Sequence, residues 1–232
     1  MKILGIESSS LVASAAIVTD DILTAEYTVN FKKTHSQTLL PMIDEIVRMT
    51  ETELETIDAI AVSGGPGSFT GLRIGSATAK GLGLALKKPL IHIPTVDAMA
   101  WNLWGARGLV CPIMDAKRNQ VYTGIYRMEN GLEAVKEQCA MDMGALAEEL
   151  NRLGEPVIFL GDGVPVYKEI IEECVKVPVA FAPAHLNRQR AAAVAALGAI
   201  YFAEGKTETA AEHGPDYLRK SQAERERLGE SL

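Results

Sequence analysis

Three short segments of this 232-residue chain hold the residue types with which it could do chemistry. The first is Glu7-Ser8-Ser9-Ser10, at the carboxyl end of an apolar run. A tight turn there exposes amides and hydroxyls suited to a phosphate, and the serines serve equally well to satisfy the turn itself. The second is Ser63 to Gly75, SGGPGSFTGLRIG, whose glycines permit an abrupt strand-to-helix turn with amides aimed outward at a helix N-terminus, a place for an anion. With the serine turn, Gly64 and Gly65 of this segment form the candidate nucleotide site. The spacing is not G-x-x-x-x-G-K-[ST] and the loop has no lysine, which excludes a P-loop. The third is a scatter of carboxylates, Glu7, Asp115 and Asp162, each ending a strand or entering a glycine turn, where ribonuclease-H-like nucleases hold metal ions. Asp162, in Gly161-Asp162-Gly163, also suits turn capping.

The four histidines, His35, His92, His185 and His213, form no H-x-x-x-H or H-E-x-x-H pair, so the pattern predicts no metal site and no catalytic residue. His35 is expected to abut a helix N-terminus, and His92, within an apolar strand, to be a satisfied core histidine. Cys111, Cys139 and Cys174 are odd in number and far apart, and read as buried thiols of a reducing compartment.

The elements that position these groups follow from periodicity. Residues 2–7, 12–18 and 22–29 read as three antiparallel strands, with Thr19-Asp20-Asp21 as a hairpin turn. A helix over about Ser36 to Met49, a strand over 57–62, a helix over about Thr70 to Leu86, a strand over 89–93 and a helix N-capped by Thr95 complete the first half. The second half repeats the order: strands over 109–116, 120–128 and 133–139, a helix over 143–153, a strand over 156–160, and helices over 166–175 and 190–204. Three strands, helix, strand, helix, strand, helix is the ribonuclease-H-like unit that actin-like ATPases carry twice, so the fold expected is α/β, with two similar domains at 1–107 and 108–219 and a charged tail at 220–232.

Gly71, Gly75, Gly81 and Gly83 would each cost a helix about 1 kcal/mol relative to alanine, so close approach of another backbone is expected to compensate. A formal charge of −7 repels phosphates, which disfavours direct RNA binding. The pairs Lys32/Lys33, Lys87/Lys88 and Lys117/Arg118 read as solvated charge. The first apolar run is too brief for a signal peptide and nothing approaches the ~18 residues of a membrane span, so a soluble cytoplasmic protein is expected.

The motifs ILGIESSS, HSQTLLPMID, SGGPGSFTGLRIG, Pro94-Thr95, MDAKRNQVYTGIY, LGDG and PDYLR, in this order and spanning the chain, resemble the TsaB (YeaZ) family. The resemblance implies an actin-like fold and a part in forming threonylcarbamoyladenosine at position 37 of tRNAs that read codons beginning with A. It implies as partners TsaD, the paralogue that binds metal and transfers the threonylcarbamoyl group, and the small ATPase TsaE, with tRNA reached through the complex and no membrane. TsaD carries an H-x-x-x-H where this chain has Thr95 and Met99, neither of which replaces an imidazole on a metal. The chain is therefore expected to be a non-catalytic scaffold and activator with no cofactor of its own, ATP belonging to the complex; the alternative is a weak nucleotide-binding ATPase. The face expected to meet TsaD, or a second copy of the chain when alone, comprises Leu39, Ile43, Gly71, Leu72, Arg73, Gly75, Ser76, Ala79 and Lys80.

Overall fold

The computed structural model describes residues 1–32 and 34–218; Lys33 and the tail lie outside the described residues. Two five-stranded sheets share one plan. In the first, β1 (Lys2–Glu7) is flanked on one side by the antiparallel β2 (Val12–Thr19) and β3 (Ile22–Asn30), and on the other by the parallel β4 (Ala59–Gly65) and β5 (Leu90–Pro94). In the second, β6 (Leu109–Asp115) lies between the antiparallel β7 (Gln120–Arg127) and β8 (Glu133–Asp142) and the parallel β9 (Val157–Leu160) and β10 (Val179–Phe181). Third-second-first-fourth-fifth recurs in both halves, which is the duplicated actin-like arrangement.

Parallel strands at a sheet centre are buried on both faces and read as continuous apolar runs. Ile3 to Glu7 and all of Ala59 to Gly65 are indeed buried. One face of the first sheet packs against α1 (His35–Thr50) and α2 (Phe69–Leu86), where Leu39, Met42, Ile43 and Ile46 meet Leu4, Ile6 and Ala15. The second sheet takes α4 (Met143–Leu153) and α5 (Val164–Cys174) on one face and α3 (Thr95–Trp101) against β6 and β7 on the other.

The other face of the first sheet is covered by α6 (Ala191–Ala203), which the sequence reading assigned to the second half. This helix is apolar all round, the signature of a helix buried on several sides. Its start is capped by the first sheet: Ala191 N–H donates to Ser14 Oγ (3.0 Å), Ala192 N–H to Glu26 Oε1 (3.1 Å), and the Arg190 guanidinium pairs with the Glu26 carboxylate. The chain then stays with the first sheet. Glu208 bridges Leu90 of β5 through two backbone hydrogen bonds of 2.9 Å, and Asp216 N–H donates to Gly64 O (2.7 Å). Residue 107 falls between the strands of the two sheets, and the chain from Arg190 onward returns to cover the first of them.

Several elements differ in detail. The fourth strand runs on to Gly65, placing Gly64 and Gly65 inside the sheet rather than in the turn. Pro94 holds the N-cap position of α3 and Thr95 is its first residue, its buried Oγ1 without a partner. Of the cysteines only Cys111 is fully buried, and Cys174 is exposed. No helix among the described residues is long and apolar enough to cross a membrane.

The close approach of α6 tests the arrangement. A Cβ at Gly5 would lie 2.4 Å from Ala191 O, and one at Gly198 would lie 2.6 Å from the Cβ of Ala61. Gly5→Ala is expected to lower unfolding stability by about 1–3 kcal/mol, the cost of overpacking against backbone, measured by urea denaturation.

Candidate functional site

The serine turn and the β6–β7 loop face each other across a cleft of about 570 Å³, lined by Ser9, Ser10, His35, Gly67 and Ser68 from the first half and Asp115, Lys117, Tyr122 and Asp162 from the second. Loops at the carboxyl ends of parallel strands are where open α/β sheets place ligands. A groove of about 700 Å³ along α6 is larger and lined mainly by alanines, Leu23, Trp101 and Ile200, with Asp20 and Arg190 at its rim already paired to the Met1 amine and to Glu26.

Glu7 ends β1 and is buried. Its Oε1 accepts from the Ser9 amide (2.6 Å) and the Ser9 hydroxyl (2.6 Å). The Ser8 amide points to Ser63 Oγ (3.4 Å) and the Ser8 hydroxyl donates to Gly71 O (2.9 Å). The donors that a phosphate would use at Ser8 and Ser9 are thus spent on the chain's own carboxylate and backbone. Burial raises the Glu7 pKa to about 7, against the pull of hydrogen bonds from Ser9 and Ser63, and the nearby Asp162 charge adds to the rise.

The glycine segment is likewise filled from within. A Cβ at Gly64 would strike the His92 ring, one at Gly65 would lie 2.4 Å from Asp216 O, and one at Gly67 would lie 2.3 Å from Ser9 O. Gly64 and Gly65 do not line the cleft, so of the candidate nucleotide residues only Ser9 and Ser10 do. Ser68 N-caps α2, accepting from Gly71 N–H (3.3 Å), and its own amide donates to Ser9 O (2.6 Å). His35 is the first residue of α1, at the helix N-terminus that it was expected to abut, and its Nε2 lies 2.7 Å from Ser10 O, which ties that helix to the serine turn.

The carboxylates of the second half are engaged as well. Burial works to raise the Asp115 pKa, but hydrogen bonds from the Lys117 side chain and amide and from Tyr167 outweigh it, and the net shift is downward. Burial raises Asp162, with Gln189 opposing. Lys117, Arg118 and Asn119 all hold left-handed backbone, with φ of 63°, 57° and 59°, each costing a non-glycine residue about 1–2 kcal/mol. That turn presents Lys117 and Arg118 to solvent. Asp115 and Asp162 line the cleft together and Asp162 acts on Glu7 from nearby, but the three carboxylates are not close enough to share one ion. Among the described residues, the grouping with ligand atoms close enough for a metal ion is His92, Glu208 and His213, which sequence spacing did not anticipate.

The glycines of α2 meet the chain itself. A Cβ at Gly71 would lie 2.1 Å from Ser8 O, and one at Gly75 2.2 Å from Ser8 Oγ. Leu39, Ile43, Gly71, Leu72, Gly75, Ser76 and Ala79 are all buried within the first unit and form no outward face, a correction to the expected interface. Arg73 stacks 3.9 Å over the Phe69 ring, with its Nε donating to Tyr217 OH (3.2 Å), and Lys80 donates to His213 O (2.9 Å). The outward faces of the same helices carry Leu40, Ala77, Gly81 and Leu84, with open space around Gly81.

Residues 25–227 match the family model described as TsaD, tRNA N6-adenosine threonylcarbamoyltransferase. The chain is 34% identical over 97% of its length, and 96% of the relative's, to the tRNA threonylcarbamoyladenosine biosynthesis protein TsaB of Bacillus subtilis. The chain belongs to the TsaB family. It is 32% identical to TsaB of Escherichia coli, with 96% of each chain covered. A crystal structure from Pseudomonas aeruginosa, described as similar to peptidase YeaZ, superposes with a TM-score of 0.82 at 24% identity, covering 94% of this chain and 99% of the other. The TsaB fold thus carries a serine turn closed by its own glutamate in this member.

Because the folded chain holds the Glu7 proton more tightly than an unfolded carboxyl at about 4.5, this group's contribution to stability is full below that pH and is lost as pH rises to about 7. Relative to Glu7→Gln, the wild type is expected to lose about 3 kcal/mol across this window and little beyond it, read from denaturant midpoints at steps between about pH 3.5 and 8. Parallel curves for the two proteins would mean that Glu7 ionises as an ordinary carboxyl.

Proposed function

We propose that this chain is the non-catalytic subunit of a complex that forms N6-threonylcarbamoyladenosine in tRNA, acting in the cytoplasm as a scaffold that activates a TsaD-type partner. The observation that carries this reading is the self-satisfied cleft: the serine-turn donors bond to Glu7 and to Gly71 O, leaving little to hold a phosphate. Thr95 and Met99, at the positions that the family resemblance matches to the TsaD histidine pair, are fully buried and packed, with Met99 Cε against Gly161. ATP use and group transfer then fall to TsaE-type and TsaD-type partners, and tRNA is met through the complex, in keeping with the formal charge of −7.

The partner surface is the outer side of α1 and α2. Leu40 and Leu84 are 54% and 68% exposed, flanking the small Ala77 and Gly81 that would let a related helix pair approach closely. A second copy of the chain would use the same face when the partner is absent, since self-pairing and paralogue pairing present alike geometry. A weak ATPase is the competing reading, favoured by the position of the cleft and opposed by its carboxylates.

Ala77→Arg and Gly81→Arg add bulk only outside the folded chain, so each is expected to keep the wild-type melting temperature while cutting TsaD co-purification at least tenfold. Reconstitution with TsaD and TsaE, followed by nucleoside analysis of tRNA, is expected to show modification only when this chain is present. Substantial ATP turnover by the chain alone would favour the ATPase, and undiminished TsaD binding by both variants would move the interface elsewhere.

A further inference from the structure

Residues 205–218 return along β5 and the start of α2, and three side chains of this strap converge on one strand histidine. A ring nitrogen of His92, a ring nitrogen of His213 and a carboxylate oxygen of Glu208 lie within 4.8 Å of one another. The Asp216 carboxylate lies 3.2 Å from His92 Nε2. His213 is buried, its Nδ1 2.6 Å from Glu208 Oε1 and its Nε2 without any partner. His92 Nε2 is also buried and makes no well-formed hydrogen bond, Asp216 being near but out of line. Two imidazoles with unused nitrogen and two carboxylates, in one place, are an unusual grouping to leave incomplete, since buried polar atoms nearly always find partners.

We propose that His92, Glu208, His213 and Asp216 bind one divalent transition ion of the zinc class, which fastens the strap to β5. Two nitrogen and two oxygen donors suit Zn²⁺ and fit poorly the all-oxygen preference of Mg²⁺ or Ca²⁺. Two neutral imidazoles and two carboxylates balance the charge of such an ion. With ligand bonds of about 2.0–2.1 Å, a tetrahedral site has edges of about 3.4 Å. His92, Glu208 and His213 therefore need to contract by about 1.4 Å at most, and Asp216 joins them from its place 3.2 Å from His92 Nε2. Side-chain rotation supplies that, because the backbones are already held. Glu208 is bridged to Leu90, two residues before His92 on β5. The Asp216 amide is bonded to Gly64 O, and Lys80 holds the His213 carbonyl. Asp216 is 60% exposed at its side chain, which gives the ion a route in from solvent. Four protein ligands leave no position for substrate, so the site is a clasp rather than a catalytic centre, and the inference stands apart from the proposed role in tRNA modification.

The test is zinc binding by the full chain, prepared with a chelator-stripped buffer and no histidine tag. Titration against a chromogenic zinc chelator is expected to show one ion per chain and a raised unfolding temperature, because an ion bound only by the native state shifts the equilibrium by mass action. Glu208→Gln and His92→Gln are chosen because both positions are partly exposed. Each is expected to lower zinc affinity more than about 100-fold while the metal-free melting temperature stays near that of the wild type. Should either variant fail to fold, long-range ¹H–¹⁵N spectra of the wild-type imidazoles decide the matter. Zinc is expected to move two ring systems, those of His92 and His213, and to leave His35 and His185 in place. A wild-type chain that takes up no zinc, folded variants that bind as tightly as the wild type, or shifts confined to His35 or His185 would overturn the proposal.

Discussion

The first sheet has two apolar faces, and both must be covered. The central strands β1, from Ile3 onward, and β4 are buried on both faces, so a single helical layer leaves half of their side chains in water. The helices α1 and α2 cover one face from within the first half of the chain. The other face waits for α6, roughly a hundred residues after β5. Each aliphatic side chain that this helix shields is worth about 1.5–3 kcal/mol, and its alanines and Gly198 let it lie close to the strands. The first unit is complete only when the second has been crossed. Ser14 and Glu26, which cap the start of α6, convert that apolar fit into a directed one.

The cleft follows from the same closure. Returning the chain to the first sheet draws the second sheet's loops up to the serine turn, and Asn102 Nδ2 donates to Leu186 O (3.2 Å) and Arg188 O (2.8 Å) where the two paths cross. Tyr126 OH donates to Asp97 Oδ1 (2.7 Å) and joins β7 to α3. What results is a cleft at the carboxyl ends of the strands whose serine turn is filled from within. Glu7 brings its carboxyl group to the Ser9 amide and hydroxyl from inside, and the close contacts of Gly71 and Gly75 with Ser8 press α2 onto the turn. Gly71 and Gly75 are thereby explained without a neighbour: they admit the chain's own first turn.

Glycine at positions 71 and 75 and glycine at 81 thus do different things on one helix. The first two are buried against Ser8, and the third faces open space beside the exposed Leu84. A helix with one face keyed into its own domain and an opposite face of small and aliphatic residues suits the pairing that the TsaB family resemblance implies. The strap adds a further restraint on α2, through Lys80 and the stacked Phe69, Arg73 and Tyr217. Residues far apart in sequence therefore set the angle at which this helix is presented.

Local pattern alone determined most of the elements and their repetition. Strand alternation, the Thr19-Asp20-Asp21 turn and the apolar stripe of α1 depend on neighbours within a few residues, and they appear where periodicity puts them. The motifs from ILGIESSS to PDYLR carried the family. The direction in which a buried group points was not legible, because burial looks the same in sequence whether a residue faces its own sheet or a partner. That is why Leu39, Ile43, Gly75 and Ala79 read as an interface and proved to be core. The convergence of His92 with Glu208 and His213 was equally hidden, since no spacing rule links residues more than a hundred positions apart. The sequence by itself determined two ribonuclease-H-like units and what each strand and helix would be. Only the tertiary structure decided that α6 belongs to the first sheet, because that choice rests on which uncovered apolar face lies within reach once the chain has turned back.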